Sequence, residues 1–235
     1  MENEERYYET LSAAYLKGRA KRLNAVHMLP EFLQKKEPEE LTAEEREALP
    51  ELFRQLELKR YPFKRGREEL PRVRKVMGFL QSVQPESLLD VGSGRGVFLF
   101  PFLEAFPWAE VTAIDLLPNR VEFLQDLNRG GIRQLTAREA DLCSQPFPDA
   151  SFDVVTLLEV LEHIPAVEQA VAAAVRMARR YVVVTVPSKP DNNPEHIHLL
   201  TQDWLTELFH QAGCRRLHFD GVTGHLFLAA SLEKK

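Results

Sequence analysis

The chain has 235 residues, with 30 Lys and Arg against 35 Asp and Glu and a formal net charge of -5 at pH 7. Hydrophobic residues make up 44% and charged residues 28%, a balance typical of a globular protein that buries a substantial core. The net negative charge argues against a nucleic-acid polyanion as the obvious partner, although it is compatible with a local basic patch.

The two cysteines, Cys143 and Cys214, form neither a CxxC pair nor a disulfide framework, which is typical of a reducing compartment. The first residues are polar and acidic and lack the hydrophobic region of a signal peptide. No apolar run approaches the ~18 residues needed to span a bilayer. We therefore expect a cytoplasmic protein that makes no membrane contact.

The first part of the chain is charged and favours helices. Thr42 is followed three residues later by Glu45, a spacing that predicts a capping box at a helix start. Pro71 marks the expected start of a further helix. We predict a helical N-terminal cap or lid over residues 1–71 and a second domain over residues 72–235.

The second domain alternates apolar strands with amphipathic helices. The predicted strands cover residues 87–92, 110–115, 134–141, 152–160, 181–187, 215–222 and 225–232. The predicted helices between them cover residues 94–106, 118–129, 166–180 and 201–213. This alternation predicts an α/β fold with a doubly wound parallel sheet. The short turn between the last two strands predicts an antiparallel terminal hairpin.

A glycine-rich turn connects the first predicted strand to the first predicted helix. Asp90 is followed by Gly92, Gly94 and Gly96, which allow the backbone to approach a ligand closely. Asp115 ends the next strand, where a carboxylate can accept hydrogen bonds from ribose hydroxyls. These features together predict an adenosine-type cofactor at the carboxyl ends of the strands.

The spacing of these glycines also narrows the type of cofactor. A dinucleotide fingerprint needs its third glycine at position 97, which is occupied by Val97, so a nicotinamide cofactor is disfavoured. For the glycines alone, a tight turn without a ligand is the alternative interpretation.

Three segments resemble the motifs of class I S-adenosylmethionine-dependent methyltransferases. They are LLDVGSGRG at 88–96, AIDLL at 113–117 and EADLCSQPFPDASFDVVTLLEVLEHI at 139–164. The third segment is similar to the broad subfamily that includes quinone-biosynthesis enzymes. The resemblance covers roughly residues 72–230 and implies a Rossmann-like sheet of seven strands with an antiparallel terminal hairpin.

The resemblance also implies a set of S-adenosylmethionine-binding residues. They are Asp90, Gly92, Gly94, Gly96, Asp115, Leu116, Asp141, Leu142 and Glu159. By this resemblance the glycine turn holds the methionine part and Asp115 holds the ribose. Asp141 and Leu142 flank the adenine, with Asp141 facing its amino group, and Glu159 lines the methionine end.

Acidic and histidine residues follow two neighbouring predicted strands. Glu159, Glu162 and His163 come after the fourth strand, and His196 and His198 after the fifth. Such loops lie side by side in a parallel sheet, so these groups could hold Mg²⁺ or Mn²⁺. The pattern resembles the metal site of methyltransferases that modify small-RNA 3′ ends, and that of ubiquinone-biosynthesis O-methyltransferases. This implies Glu159, Glu162, His163 and His196 as ligands, with His198 as a competing choice.

Two metal-free interpretations of these loops stay open. A hydroxyl acceptor must lose a proton, and His163, with Glu162 beside it, could be the catalytic base. Alternatively, the loops only shape the substrate pocket or stabilise the fold.

A basic stretch precedes the second domain. Its residues are Lys59, Arg60, Lys64, Arg65, Arg67, Arg72, Arg74 and Lys75. It could bind an anionic substrate such as RNA, close over the carboxylate of the cofactor, or form a solvated helix face.

Together, these observations predict an S-adenosylmethionine-dependent methyltransferase that acts on a small molecule or an RNA, at oxygen, with a divalent metal as a candidate second cofactor. A non-catalytic S-adenosylmethionine-binding regulatory protein is the alternative from a different class.

Overall fold

The computed structural model describes residues 2–63 and 70–232 of the chain. The strands are β1 Ser87–Val91, β2 Glu110–Asp115, β3 Leu135–Glu139, β4 Phe152–Leu158, β5 Ala178–Pro187, β6 Arg216–Val222 and β7 His225–Ser231. The α-helices are α1 Glu2–Arg22, α2 Glu31–Lys35, α3 Ala43–Glu47, α4 Leu49–Gln55, α5 Pro71–Val83, α6 Leu99–Ala105, α7 Pro118–Gly130, α8 Val167–Met177 and α9 Gln202–Gln211.

The seven strands form one sheet in the order β3-β2-β1-β4-β5-β7-β6. All neighbours are parallel except β7, which runs antiparallel between β5 and β6. This confirms the predicted Rossmann-like fold and its terminal hairpin. The winding direction reverses between β1 and β4, and ligands of such sheets bind outside the carboxyl ends of the strands at this point.

Two hydrophobic cores cover the two faces of the sheet. One contains residues from α1 and α4 to α7, and the other contains residues from α8 and α9. Strand β4 lies at the centre and is buried along nearly its whole length, as expected for a parallel strand covered on both faces. Among the helices of the described chain, none combines the length and the apolar character that a bilayer crossing requires.

Several predicted boundaries are wrong. The first helix of the second domain begins at Leu99 instead of residue 94, because the glycine turn extends further. The segment after Thr42, whose capping box is confirmed, divides into α3 and α4 at Ala48. Helix α8 ends at Met177 instead of residue 180. Strand β5 begins at the next residue, Ala178, because Ala178 pairs with Phe152 of β4.

Helix α1 runs antiparallel along α7. Its buried residues Leu11 and Leu16 share a hydrophobic core with Leu99 of α6 and Leu127 of α7. The N-terminal segment is therefore packed against the flank of the sheet domain over a wide apolar surface. The predicted boundary at residue 71 and the lid role stay predictions.

Two glycines allow α1 and α7 to pack backbone against backbone. A Cβ at Gly18 would lie 1.7 Å from the Asp126 carbonyl oxygen, and one at Gly130 would lie 1.7 Å from the Ala14 carbonyl oxygen. The buried Asp126 carboxylate is paired at 2.9 Å with both Arg22 of α1 and Arg129 of α7. Close packing and a buried ion pair thus fix this contact.

Replacing Gly18 with alanine should lower the free energy of unfolding by about 3 kcal/mol, because the added methyl group forces the two helices apart. Gly78→Ala is the matched control, since Gly78 also lies inside a helix but a Cβ there meets nothing within 4 Å. The control should be neutral or stabilising by about 0.5–1 kcal/mol. Denaturant unfolding measures both values, and equal effects would contradict the packing argument.

Candidate active site

The turn between β1 and α6 lies at the carboxyl edge of the sheet. Gly92, Gly94 and Gly96 have φ values of 67°, 57° and 81°, a region that disfavours other residues. A Cβ at Gly92 would lie 2.7 Å from the Val160 side chain, and one at Gly96 would lie 2.5 Å from the Phe100 ring. These glycines are therefore required for the path of the turn.

Asp115 lies beside this turn at the end of β2, with only 7% of the residue exposed. Its Oδ2 accepts a hydrogen bond from the Gly94 N–H at 3.2 Å, and its Oδ1 accepts one from the Leu117 N–H at 2.9 Å. Arg120 Nη1 is 3.5 Å from Oδ2. The carboxylate is thus held in place next to the glycines, as the ribose interpretation requires.

A cavity of about 170 Å³ opens between the turn, the ends of β4 and β5, and the start of α5. Buried Asp90 forms part of its wall and accepts a hydrogen bond from Thr156 Oγ1 at 2.7 Å. Burial raises the pKa of Asp90 to about 6, against the hydrogen bonds from Ser93 and Thr156. Asp90 is therefore a polar group held within the wall.

The residues predicted to contact adenine have different environments. Leu116 is an apolar side chain that is 65% exposed. Asp141 is exposed, and its Oδ1 accepts a hydrogen bond from the Cys143 N–H at 2.9 Å, whereas Leu142 packs in the core. Leu116 and Asp141 are accessible to a ligand, and all three contacts with adenine stay predictions.

Glu159 adopts a φ of 59° at the end of β4, an uncommon backbone conformation for a residue with a side chain. Thr185 Oγ1 donates to its Oε1 at 2.8 Å, and His225 Nε2 lies 3.0 Å from its Oε2. Arg72 Nε is 4.0 Å from Oε1. Glu159 therefore lines the cavity and has partners from β5, β7 and α5.

Glu162, His163 and His196 come together beside the cavity, with one possible ligand atom from each within 4.8 Å of the others. Among the described residues, this cluster does not include Glu159, so the structure assembles three of the four predicted ligands. His198 Nε2 lies 3.1 Å from the Ile164 carbonyl oxygen, and its ring packs against Trp204. Of the two competing histidines, His196 is the one in the cluster.

The Glu162 side chain is the most unusual member of the cluster. The residue is completely buried, and neither carboxylate oxygen has a hydrogen-bond partner among the described residues. Burial, followed by repulsion from Glu159 and Asp191, raises the pKa of Glu162 to about 8. A buried, unpaired carboxyl group is costly, which indicates a role beyond stability.

Both histidines of the cluster are oriented by oxygen atoms. His163 Nδ1 donates to the Glu195 carbonyl oxygen at 2.9 Å, and His196 Nδ1 donates to Asp191 Oδ2 at 2.8 Å. In a neutral ring this leaves the Nε2 lone pair available to a metal or a proton. A histidine whose other nitrogen contacts a carboxylate or carbonyl is typical of metal ligands.

Comparison with known proteins finds a family match over the part of the chain that contains the glycine turn, Asp115 and Glu159. Residues 89–184 match the family model of the methyltransferase domain. A ubiquinone biosynthesis O-methyltransferase from Azoarcus sp. is 37% identical over 98 residues, which cover 40% of each chain. A demethylmenaquinone methyltransferase from Deinococcus radiodurans is 36% identical over 74 residues, 31% of this chain and 30% of the relative.

The fold comparison agrees with the sequence comparison. An S-adenosylmethionine-dependent methyltransferase structure from Aquifex aeolicus superposes with a TM-score of 0.59 at 20% identity, covering 78% of this chain and 98% of that chain. Residues 89–184 are therefore similar in sequence to a methyltransferase domain, and the fold is similar to that of the Aquifex aeolicus methyltransferase. The chain spans less than half the length of the two curated relatives, so the activity of the whole protein is a matter of proposal.

Sequence reasoning missed three residues of the candidate site. Asp191 lies in the same loop as His196, and its nearness to His196 in the sequence could have indicated the contact between their side chains. Thr185 and His225 had no local signal, because their contact with Glu159 depends on the pairing of β5 with β4 and β7.

The structure divides the basic stretch of the sequence into unrelated parts. Lys64, Arg65 and Arg67 lie outside the described residues. Arg72 lines the cavity of the candidate site, whereas Lys75 pairs with Asp220 of the terminal hairpin. Within the described part of this stretch, Arg72 is the member that lines the cavity.

In the absence of metal the protein should become less stable as pH rises, because the folded state retains the Glu162 proton that the unfolded state loses. This loss of stability extends from about pH 4.5, the usual pKa of a glutamate, to about pH 8, the raised pKa of Glu162. Asp90 also lowers the stability as pH rises, but only up to about pH 6, its own raised pKa. Glu162→Gln should therefore flatten the slope above about pH 6. Urea unfolding in the presence of a chelator measures it, and an unchanged slope would contradict this assignment.

Proposed function

We propose that the protein transfers a methyl group from S-adenosylmethionine to an oxygen atom of a small molecule or an RNA. The observation that carries this proposal is the glycine turn together with the Asp115 carboxylate, which is hydrogen-bonded to the Gly94 N–H at the carboxyl edge of the sheet. The family match and the names of the curated relatives support the same reaction.

The cavity has the charges that suit the amino-acid end of this cofactor. Arg72 offers a guanidinium for a carboxylate, and Glu159 offers a carboxylate for an ammonium group. Asp115 can accept hydrogen bonds from ribose hydroxyls, and exposed Leu116 can cover an aromatic base. When bound, S-adenosylmethionine supplies an activated methyl group, so the protein mainly has to orient the acceptor and exclude water.

Calorimetry with S-adenosylhomocysteine and with NAD tests the cofactor assignment. We expect binding of S-adenosylhomocysteine alone. Asp115→Asn should weaken it about tenfold, because an amide cannot accept as many hydrogen bonds from ribose. The matched control is Asp149→Asn, a substitution of the same kind at an exposed residue that pairs with Arg176.

An equal loss of affinity in both variants, or preferred binding of NAD, would contradict the proposal. Unfolding midpoints of both variants separate a binding effect from misfolding. If wild-type protein binds neither compound, the cofactor assignment is wrong.

We also propose that a divalent ion, Mg²⁺ or Mn²⁺, assists the reaction. Support comes from the orphaned Glu162 carboxylate, which is buried beside two histidines whose Nδ1 atoms already have oxygen partners. Glu162, His163 and His196 would hold the ion, which would lower the pKa of an acceptor hydroxyl. The mixed oxygen and nitrogen donors fit Mn²⁺ well.

A metal-free mechanism uses the same residues differently. His163 would accept the acceptor proton on Nε2 while the Glu195 carbonyl holds its Nδ1–H. In this case Glu162 would remain neutral near pH 7, consistent with its raised pKa.

Titration of chelator-treated protein with Mn²⁺ distinguishes the two mechanisms. His196→Ala should weaken ion binding at least about tenfold if the cluster is the site. His198→Ala is the matched control, since this ring contacts Ile164 and Trp204 instead, and should leave ion binding within about twofold. Equal affinity in wild type and His196→Ala would remove the metal from the mechanism.

The N-terminal segment, residues 1–71, is proposed to select the acceptor. The family match begins only at residue 89, so this segment lies outside the part that matches the methyltransferase model, and specificity in such folds resides in added segments. None of the observations on the described residues favours the non-catalytic alternative.

A further inference from the structure

The terminal hairpin contributes a residue that contacts Glu159 in the wall of the candidate cofactor cavity. Strand β7 begins at His225, which is paired in register with Pro187 at the end of β5. Its imidazole is 23% exposed, with Nδ1 3.0 Å from the Thr223 carbonyl oxygen and Nε2 3.0 Å from Glu159 Oε2. The ring is thus held by its own turn on one side and by Glu159 on the other.

The partners of Glu159 leave it little freedom. Its backbone N–H donates to the Thr185 carbonyl oxygen at 2.9 Å, and its Oε1 accepts from Thr185 Oγ1 at 2.8 Å. His225 is the group that holds the second oxygen, Oε2. Together they hold the carboxylate of Glu159 in the wall of the cavity, and among the described residues the cluster of Glu162, His163 and His196 does not include it.

The Glu159 carboxylate has surface left for a ligand, since 21% of its side chain is exposed. The opposite charge, Arg72 Nε, lies 4.0 Å away and lines the same cavity. A ligand that satisfies both groups carries an ammonium and a carboxylate on neighbouring atoms. This is the chemistry of the amino-acid end of S-adenosylmethionine.

We propose that His225 is a positioning residue for cofactor binding: it holds Glu159 in the orientation that receives the cofactor's ammonium group. The inference rests on the proposed function, because it presumes an S-adenosylmethionine site in this cavity. It assigns to the terminal hairpin a role in binding the amino-acid end, with no contact to the adenosine.

Comparison of two ligands isolates this role. S-adenosylhomocysteine has the ammonium and carboxylate groups, whereas 5′-methylthioadenosine lacks both and keeps the adenosine. His225→Ala should weaken S-adenosylhomocysteine binding about tenfold and leave 5′-methylthioadenosine binding unchanged. His225→Gln, whose amide N–H can replace the Nε2 donor, should restore most of the affinity.

His218→Ala is the matched control, since His218 lies exposed on β6 of the same hairpin and should leave the affinity for both ligands unchanged. Equal losses for both ligands in His225→Ala, or no loss at all, would overturn the positioning role while leaving the proposed function intact. If wild-type protein binds neither ligand, the proposed function fails, and this inference fails with it.

Discussion

The pairing of β4 with β1 on one side and β5 on the other is the constraint on which the site depends. All three strands are parallel and end at the same edge, so the turns that follow them meet there. The glycine turn, Glu159 and Thr185 become neighbours for this reason alone. Residues far apart in sequence thereby line one cavity, because the pairing of the strands alone brings them together.

Two buried carboxylates, Asp126 and Glu162, differ in their partners, and this difference separates a structural group from a candidate functional group. Asp126 is 1% exposed and is fully compensated by Arg22 and Arg129, as expected for a structural group. Glu162 is equally buried but has no hydrogen-bond partner among the described residues. Since a lone buried carboxyl group lowers stability, its cost must be offset elsewhere, and such exceptions are expected at functional sites.

Local patterns sufficed to predict the succession of strands and helices, the hairpin and the glycine turn, because periodicity and turn chemistry are properties of neighbouring residues. The start of β5 was missed because Arg179 and Arg180 favour helix in isolation, while pairing with β4 and ion pairing with Asp153 decide otherwise.

The partners of Glu159 were beyond the reach of sequence reasoning for a similar reason. A motif assigns a residue to a position but not its side-chain direction. Here Thr185 and His225 contact the two Glu159 carboxylate oxygens, and among the described residues the cluster contains three of the four ligands that the sequence pattern predicted.

The backbone contact between α1 and α7 has a consequence for shortened forms of the protein. Removing α1 would uncover the apolar surface around Leu127 and take away Arg22, leaving Asp126 with Arg129 alone among its two arginine partners. The exposed patch would favour self-association. A different N-terminal segment could therefore replace this one only together with a matching surface on α7.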